Sequence, residues 1–232
     1  MDVLQAAWGL VAGMDRDLVA IVSLSLKVSL SATLIAAVVG TPVGAALAIW
    51  RFPGRQPLVV LSTSLMALPP VVVGLVVYLA LSRAGPLGSL GLLFTPSAMV
   101  IAQSLLILPI ITALTREAIL PLHREYRGLL LSVDASRLLQ VRTLLWDARF
   151  AVATALLAGF GRAISEVGAV LIVGGNISGV TRVMTTTIAL ETSKGNLELA
   201  LALGLILILL AVIVNAVMHG LGYLGRRYQV GA

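Results

Sequence analysis

Five apolar stretches are the feature that most constrains how this chain can fold. They cover about residues 21–49, 58–81, 94–115, 150–174 and 197–218. Each is long enough to cross a bilayer, which takes about 20 residues. In lipid only helices and closed barrels satisfy every backbone polar group, and these stretches lack the apolar–polar alternation of barrel strands. The sequence therefore predicts an all-α integral membrane protein with about five transmembrane helices.

The composition agrees with a membrane protein and excludes several kinds of site. Hydrophobic residues make up 59% of the 232-residue chain and charged residues only 11%, whereas soluble domains carry roughly 25% charged residues. The chain has no cysteine and two histidines. These counts rule out a disulfide or a thiolate metal site and disfavour a histidine-rich one.

The basic residues are unevenly divided between the two sides of the membrane. Ten of the sixteen Lys and Arg lie in segments 50–57 and 116–149 and after the fifth span, and four lie in the segments on the other side. Because loops rich in Lys and Arg stay in the cytoplasm, we expect a multi-pass protein of the cell (inner) membrane with its N-terminus outside. The same distribution accounts for most of the net charge of +6, so no nucleic-acid partner is predicted.

The flanking segments are assigned by length and charge. The apolar run within residues 1–20 is too short to cross a bilayer, so we predict an N-terminal interfacial segment. Residues 21–220 form the membrane domain. Residues 221–232, with Arg226 and Arg227, form a basic cytoplasmic tail.

Residues 116–149 form the one long charged stretch, which is predicted to be a cytoplasmic loop that contacts a partner. Six arginines and four acidic residues are interleaved in it. Within 134–149, apolar residues recur at helical spacing and predict a short helix with Asp134 as its N-cap; they are Leu138, Val141, Leu144, Leu145 and Ala148. This helix fits a groove on a protein, or alternatively the lipid headgroups.

The fourth apolar stretch contains an arginine and a glutamate at helical spacing. Arg162 and Glu166 lie one turn apart and can form an ion pair deep in the membrane. Two interpretations stay open, a translocation route or a buried structural pair. Pro69 and Pro70 predict a kink in the second span, which suits either a moving or a rigid bundle.

The segment 175–196 is too short to span and predicts a re-entrant or interfacial helix on the outer side. It contains Asn176 and the consecutive Thr185, Thr186 and Thr187. Their polar groups can contact a substrate or a binding protein, or can satisfy backbone groups.

Catalytic motifs are missing from the sequence. It has no GxxxxGK[ST] nucleotide-binding loop, no HExxH and no GxSxG. Glu166 is the only acid predicted at mid-membrane, and the two halves show no evident repeat of the kind that secondary carriers have. We therefore expect a transport subunit and not an enzyme, with an ATP-independent channel or secondary carrier as the alternative.

The charged stretch resembles the cytoplasmic loop of type I ABC importer permeases, which carries a coupling helix within the pattern EAA-x3-G-x9-I-x-L-P. Ser132–Arg137 resembles the common L-G-A-S-R run, with Asp134 in the glycine position. Gly128–Leu130 stand at the E-A-A positions and Trp146–Asp147 at the L-P positions. The resemblance implies a coupling helix over Asp134–Arg142, with ATPase contacts from Asp134, Ala135, Ser136, Arg137, Leu138, Leu139, Val141 and Arg142.

Within that family, four further runs resemble the oxyanion permeases for molybdate and tungstate. They are LPPVVVG at 68–74, GRAISEVGA at 161–169, GGNI at 174–177 and TRVMTT at 181–186. The last run, with ALET at 189–192 and LSRAGPLG at 81–88, is particularly similar to the tungstate permeases.

The resemblance implies a set of partners. Two copies of the permease form the pathway, two ATPase subunits bind the cytoplasmic loops, and a periplasmic or lipid-anchored protein delivers the oxyanion. Membrane lipid surrounds the assembly. The Mg-ATP belongs to the ATPase, and this chain is expected to hold no cofactor.

Overall fold

The described part of the protein consists mainly of helices. The computed structural model describes residues 3–13 and 15–230, without the side chains of Val3, Leu4, Ala6, Val11 and residues 226–230. Met1, Asp2 and Met14 of the predicted N-terminal segment, and Gly231 and Ala232 of the predicted tail, lie outside the described residues. Its ten α-helices are α1 Val3–Ala12, α2 Arg16–Ile49, α3 Arg55–Leu65, α4 Pro70–Leu81, α5 Pro96–Ser132, α6 Arg137–Asp147, α7 Arg149–Ile164, α8 Gly168–Gly174, α9 Met184–Lys194 and α10 Leu197–Val230. No strand occurs among these residues, which confirms the predicted all-α class.

Three of these helices are long and apolar enough to cross a membrane by themselves: α2, α5 and α10. Two pairs of helices are also long and apolar enough when each pair is taken as one bent span. They are α3 with α4, bent by 105°, and α6 with α7, bent by 76°. The described residues therefore offer three to five membrane spans, a range that includes the five predicted ones.

The second predicted span, 58–81, is wrong as a single helix. Its residues form α3 and α4, which meet at 105° across the break at 66–69. Pro69 is extended, with φ −63° and ψ 125°, and it is the N-cap of α4, while Pro70 is the first helical residue. A proline at that position loses no hydrogen bond, because the first turn has no acceptor for its N–H. The two prolines therefore start a new helix instead of kinking an existing one.

The predicted cytoplasmic loop at 116–149 is also corrected, since most of it is helical. α5 continues to Ser132, and only residues 133–136 separate it from α6. At 1.5 Å per residue, the 37 residues of α5 span about 55 Å, which exceeds the roughly 30 Å of hydrocarbon in a bilayer. The charged last third of α5 therefore extends beyond the membrane as a helical continuation of the span.

Three other boundaries differ from the sequence prediction. The fourth predicted span, 150–174, is divided at Ser165–Val167 into α7 and α8. α10 continues through the predicted tail as far as Val230. α2 begins at Arg16, inside the predicted interfacial segment, because the Asp15 carboxylate accepts from the backbone N–H groups of Asp17 (3.0 Å) and Leu18 (3.1 Å) and so caps the helix.

The chain divides into two compact units, each built from three separate segments. The first unit comprises Met1–Ala32, Pro69–Leu105 and Gly161–Ile213, and the second comprises Thr33–Leu68, Leu106–Phe160 and Val214–Ala232. In the first unit, α4 packs closely on α8: a Cβ added at Gly74 would lie 2.7 Å from the Cα of Ala169.

The second unit is closed by an equally tight approach of α2 to α5. A Cβ at Gly44 would lie 2.5 Å from the backbone oxygen of Thr112, so only glycine fits. Small residues at such positions let membrane helices approach closely. The core of this unit also joins α6 to α2 and α5, and its buried members are Ala45, Ala48, Ile49, Ile119, Leu122, Leu130, Leu144 and Ala148.

Candidate functional site

The turn between α5 and α6 is shaped by one residue with a left-handed backbone. Asp134 has φ +44°, a region in which glycine is free of strain and in which Asp is tolerated better than most residues. The backbone N–H of Asp134 donates to the oxygen of Leu131 (3.1 Å), and that of Ala135 donates to Leu130 (2.9 Å). These bonds close the end of α5. The left-handed turn gives a physical reason for a glycine at this position in similar sequences.

The predicted N-cap, Asp134, is wrong, and so is the predicted start of the helix. The N-cap is Ser136, whose Oγ accepts from the backbone N–H of Leu139 at 3.3 Å. Asp134 cannot cap α6 because its positive φ places it in the preceding turn. The helix proposed for coupling is therefore Arg137–Asp147 and not Asp134–Arg142.

α6 has one buried face and one exposed face. Leu144 is fully buried and Ala148, directly after the helix, is 4% exposed, while Val141 and Leu145 pack against the same cluster. Leu138, grouped with them by its spacing, lies instead in the exposed first turn with 78% of its surface accessible.

The open side of α6 is apolar as well as charged. Leu139 and Trp146 are exposed with Leu138, and Val133 joins them from the preceding turn. Arg142 is also exposed. We call Val133, Leu138, Leu139, Arg142 and Trp146 the coupling surface.

Several polar contacts fix α6 to its neighbours in the second unit. The Arg137 guanidinium lies 5.9 Å from the centre of the Trp50 ring at the end of α2. The Gln140 side chain donates to the backbone oxygen of Ala135 at 2.8 Å. The Asp147 carboxylate raises the pKa of Tyr126 on α5, because it disfavours a second negative charge beside it. α6 is thus tied to both α2 and α5.

The structure pairs Arg162 with Glu166 at the end of α7, in the first unit. The Arg162 Nη1 donates to the Glu166 Oε2 at 2.7 Å, and the two side chains are 36% and 3% exposed. The other carboxylate oxygen accepts from the backbone N–H of Ala169 at 3.1 Å, and the Thr185 hydroxyl donates to the Glu166 backbone oxygen at 2.7 Å. Glu166 lies in the break between α7 and α8, so the two residues do not share one continuous helix as expected.

The start of α4 lies against this ion pair. A Cβ added at Gly168 would lie 2.9 Å from the Val71 side chain and 3.6 Å from the Glu166 Oε1. Val71 directly follows Pro69 and Pro70, so the structure brings the predicted proline pair and the predicted ion pair into one region. The break before α4 and the break before α8 meet there.

The residues predicted on the outer side bond to one another and to backbone. All three threonines are buried. The Thr186 hydroxyl donates to Asn176 Oδ1 at 2.9 Å, the Asn176 amide donates to the Thr186 backbone oxygen at 3.3 Å, and the Thr187 hydroxyl donates to the Val183 backbone oxygen at 2.7 Å. These contacts correspond to the structural alternative and leave no hydroxyl of the three turned to the outside.

Two polar side chains that were not among the predicted site residues tie the first unit together. The Ser25 hydroxyl accepts from the backbone N–H of Met184 at 2.8 Å, and the Gln103 amide donates to the backbone oxygen of Ala163 at 2.9 Å. Gln103 was visible as a polar residue inside an apolar span. Nothing distinguishes Ser25 from the other serines of α2.

Comparison with known proteins places the chain in a family. Residues 40–223 match the family model described as binding-protein-dependent transport system inner membrane component. A protein of Haloferax volcanii described as a probable anion ABC transporter permease protein is 42% identical over 217 residues, which are 91% of this chain and 90% of that protein. The tungstate uptake system permease protein TupB of Peptoclostridium acidaminophilum is 41% identical over 217 residues, 94% of this chain and 95% of that protein.

A more distant relative is named for a different substrate. The molybdenum transport system permease protein ModB of Azotobacter vinelandii is 29% identical over 194 residues, 75% of this chain and 80% of that protein. Because the family model covers most of the chain and relatives above 40% identity match almost its whole length, the chain belongs to the binding-protein-dependent inner membrane components, the membrane-spanning permease subunits of type I ABC importers.

Proposed function

We propose that this chain is the permease subunit of a tungstate importer. The observation that carries this choice is the contrast between two groups of relatives. Identity is 41% over nearly the whole chain to a tungstate permease, and 29% over three quarters of the chain to a molybdenum permease. Molybdate is the second candidate, because the two anions have the same charge and shape.

The importer would contain three kinds of protein, of which this chain supplies one. Two copies of the permease would form the pathway, two ATPase subunits would bind on the cytoplasmic side, and an extracytoplasmic binding protein would deliver the anion. Mg-ATP would be held by the ATPase, since no nucleotide-binding loop occurs in the sequence. Membrane lipid would contact the aliphatic outer faces, such as Leu209 and Val212 of α10.

The coupling surface supports a docking role for α6. Apolar side chains such as Leu138 and Trp146 are largely exposed on it, and exposed apolar groups beside charged ones are typical of protein contact sites. The opposite face of α6 is packed between α2 and α5. Since packed interiors transmit displacement instead of absorbing it, a movement of the ATPase would pass through α6 into the membrane helices.

In this mechanism the permease contributes a path and no bond chemistry. A doubly charged oxyanion needs hydrogen-bond donors and positive charge while it crosses, but a tight site would slow its release. Arg162 could supply positive charge within the predicted spans, since it lies next to the break between α7 and α8. Its guanidinium, however, is already paired with Glu166. We therefore assign this pair to holding the break between α7 and α8, and not to binding the anion.

Uptake by membrane vesicles tests the proposed substrate. The permease would be expressed with its ATPase, and the binding protein would be added outside with tungstate or molybdate. We expect ATP-dependent accumulation of tungstate that excess molybdate reduces only weakly. Equal uptake without ATP would favour the channel or carrier, and preferential uptake of molybdate would overturn the tungstate assignment.

A substitution on the coupling surface tests the docking role. Leu138→Asp places a carboxylate on the exposed first turn of α6 and should lower ATPase co-purification and uptake about tenfold or more, as loss of a central interface residue does. Leu90→Asp is the matched control, because Leu90 is 58% exposed on the turn between α4 and α5, on the predicted outer side. Normal ATPase binding by Leu138→Asp, or an equal loss in both variants, would contradict this role.

A further inference from the structure

A basic hollow lies in the second unit, on the predicted cytoplasmic side. It has a volume of about 320 Å³ and is lined by five arginines and a histidine: Arg51, Arg55, Arg116, Arg124, Arg127 and His123. Two adjoining cavities share Arg51 with it. The proposed coupling and ion-pair sites do not use these six residues.

The positive charge of the hollow is largely uncompensated. Arg116 pairs with Glu117, and the Arg55 Nε donates to the backbone oxygen of Leu47 at 2.7 Å. Among the residues that the structure describes, Arg51, Arg124 and Arg127 form no ion pair. Like charges held together at short range repel each other, so an anion bound in the hollow would lower this repulsion.

Two buried nitrogen atoms of the lining lack a hydrogen-bond partner. They are the Arg116 Nε and the His123 Nδ1, and a buried polar atom without a partner is destabilising. Burial lowers the pKa of His123, and Arg127, Arg51 and Arg55 lower it further. An oxygen ligand in the hollow would accept from the Arg116 N–H and relieve the repulsion among the cations.

The hollow begins at the predicted level of the lipid headgroups, where the apolar parts of α2 and α5 end. α2 ends at Ile49, two residues before Arg51, and the apolar part of α5 ends just before Arg116. Apolar side chains continue from the arginines, with Leu120 in the hollow and Leu130 in an adjoining cavity. Basic pockets at the cytoplasmic ends of membrane helices suit anionic headgroups, and arginine suits phosphate because its planar fork donates two parallel hydrogen bonds.

We propose that the basic hollow is a binding site for a phosphate-type oxyanion, carried by the headgroup of an anionic phospholipid or free in the cytoplasm. The residues that line this site belong neither to the break region around Glu166 nor to the coupling surface. It does not depend on which anion the importer carries, so its test is independent of the tungstate assignment.

Native mass spectrometry of the purified permease tests the proposal. Phosphatidylglycerol and phosphatidylcholine would be added in equal amounts, and the retained lipid would be counted per protein. We expect phosphatidylglycerol to be preferred, and Arg51→Gln or Arg127→Gln to weaken its binding roughly fivefold each, since a basic residue contributes about that factor near anionic lipid. The double variant should lose roughly 30-fold.

Controls separate loss of the site from loss of the fold. Arg83→Gln removes the same charge from an exposed position on the predicted outer side and should leave lipid retention unchanged. Arg51→Lys with Arg127→Lys keeps both charges and should restore most of the binding. Both sets of variants should melt within a few degrees of the unmodified protein.

Inorganic phosphate distinguishes the two sources of the oxyanion. Displacement of phosphatidylglycerol by millimolar phosphate assigns the lipid headgroup to the hollow. Thermal stabilisation by phosphate that the double Gln variant lacks, without lipid preference, assigns the free anion. If neither probe distinguishes the double variant from the unmodified protein, the proposal is overturned. The proposal is also overturned if the lipid preference and the stabilisation by phosphate both vanish once the ATPase subunits are bound. That result would mean that a segment of the ATPase fills the hollow in the assembled transporter.

Discussion

At the scale of single residues, Glu166 is the most constrained side chain of the break region. It is 3% exposed, and its carboxylate has two partners, Arg162 and the backbone N–H of Ala169. Burying a carboxylate is costly unless it is paired and hydrogen-bonded. Glu166 therefore joins three elements, the end of α7, the start of α8 and, through its backbone oxygen, Thr185 of α9.

This geometry predicts unequal losses on removing either partner. Arg162→Ala leaves a buried carboxylate with one remaining donor and should destabilise the protein by about 1–3 kcal/mol, below the 3–5 kcal/mol of fully buried pairs because Arg162 is partly exposed. Glu166→Ala should cost less, since the free Arg162 can turn toward polar surroundings. The double variant should lose less than the sum, which thermal unfolding of the purified protein would measure.

The pair formed by Lys194 and Glu191 is the matched control for this cycle. It also joins two residues of one local segment, at 3.0 Å, but Lys194 is 52% exposed. The same double-mutant cycle should give a coupling below about 1 kcal/mol there. Since the Glu191 side chain is also buried, at 8% exposed, the two pairs differ mainly in their cation and their place in the fold. Equal coupling in both pairs would contradict a special role for the pair in the break region, and strictly additive losses at Arg162 and Glu166 would show that they act separately.

At the scale of elements, the close packing of α4 on α8 leads to a prediction about glycine. Gly74→Ala would place a Cβ 2.7 Å from the Cα of Ala169, so one helix must shift. Overpacking of this kind typically costs 1–3 kcal/mol. We expect a lower melting temperature and reduced uptake, because the displaced helices carry the break region around Glu166.

Gly204→Ala is the control for Gly74→Ala. Gly204 lies inside α10, and a Cβ there would meet nothing within 4 Å. Alanine at an open helical position should be neutral or stabilise by up to about 1 kcal/mol, since it favours the helix more than glycine does. A Gly74→Ala variant as stable as Gly204→Ala would show that α4 and α8 are not closely packed in the membrane.

The elements also show what the sequence could predict and what it could not. Hydropathy predicted where the apolar segments lie because that signal is local and repeated over many residues. It did not predict the break at Pro69, since a proline in an apolar stretch is compatible with a kinked but continuous helix. The positions of Pro69 at the N-cap and Pro70 in the first turn show that a new helix starts there. The N-cap was misassigned because the positive φ of Asp134 follows from the fold and not from its neighbours.

The basic hollow illustrates a different limit of the sequence. Charge counting placed Arg51 and Arg127 on the same side of the membrane, but they are 76 positions apart in the chain. Only the packing of α2 on α5, which the glycine at position 44 permits, brings them to one cavity. The pairing of Arg162 with Glu166 could be predicted from the sequence. Two side chains four residues apart still lie close enough to pair although the helix ends between them.

At the scale of the whole molecule, orientation in the membrane decides whether the coupling surface and the hollow face the ATPase. The uneven distribution of basic residues predicts both on the cytoplasmic side. The chain contains no cysteine, so a single introduced cysteine reports on one position without background labelling. Two exposed positions serve for this, Ser89 on the turn between α4 and α5 and Gly128 near the end of α5.

We predict opposite labelling of these two positions by a maleimide that does not cross membranes. Ser89→Cys should react in intact cells or right-side-out vesicles, and Gly128→Cys should react only after permeabilisation or in inverted vesicles. A side chain at Gly128 meets nothing within 4 Å, so this substitution should leave α5 undisturbed, and uptake by both variants would confirm that they are folded. If Gly128→Cys reacts from the outside, the charge-based orientation is reversed, and α6 cannot be the element that meets a cytoplasmic ATPase.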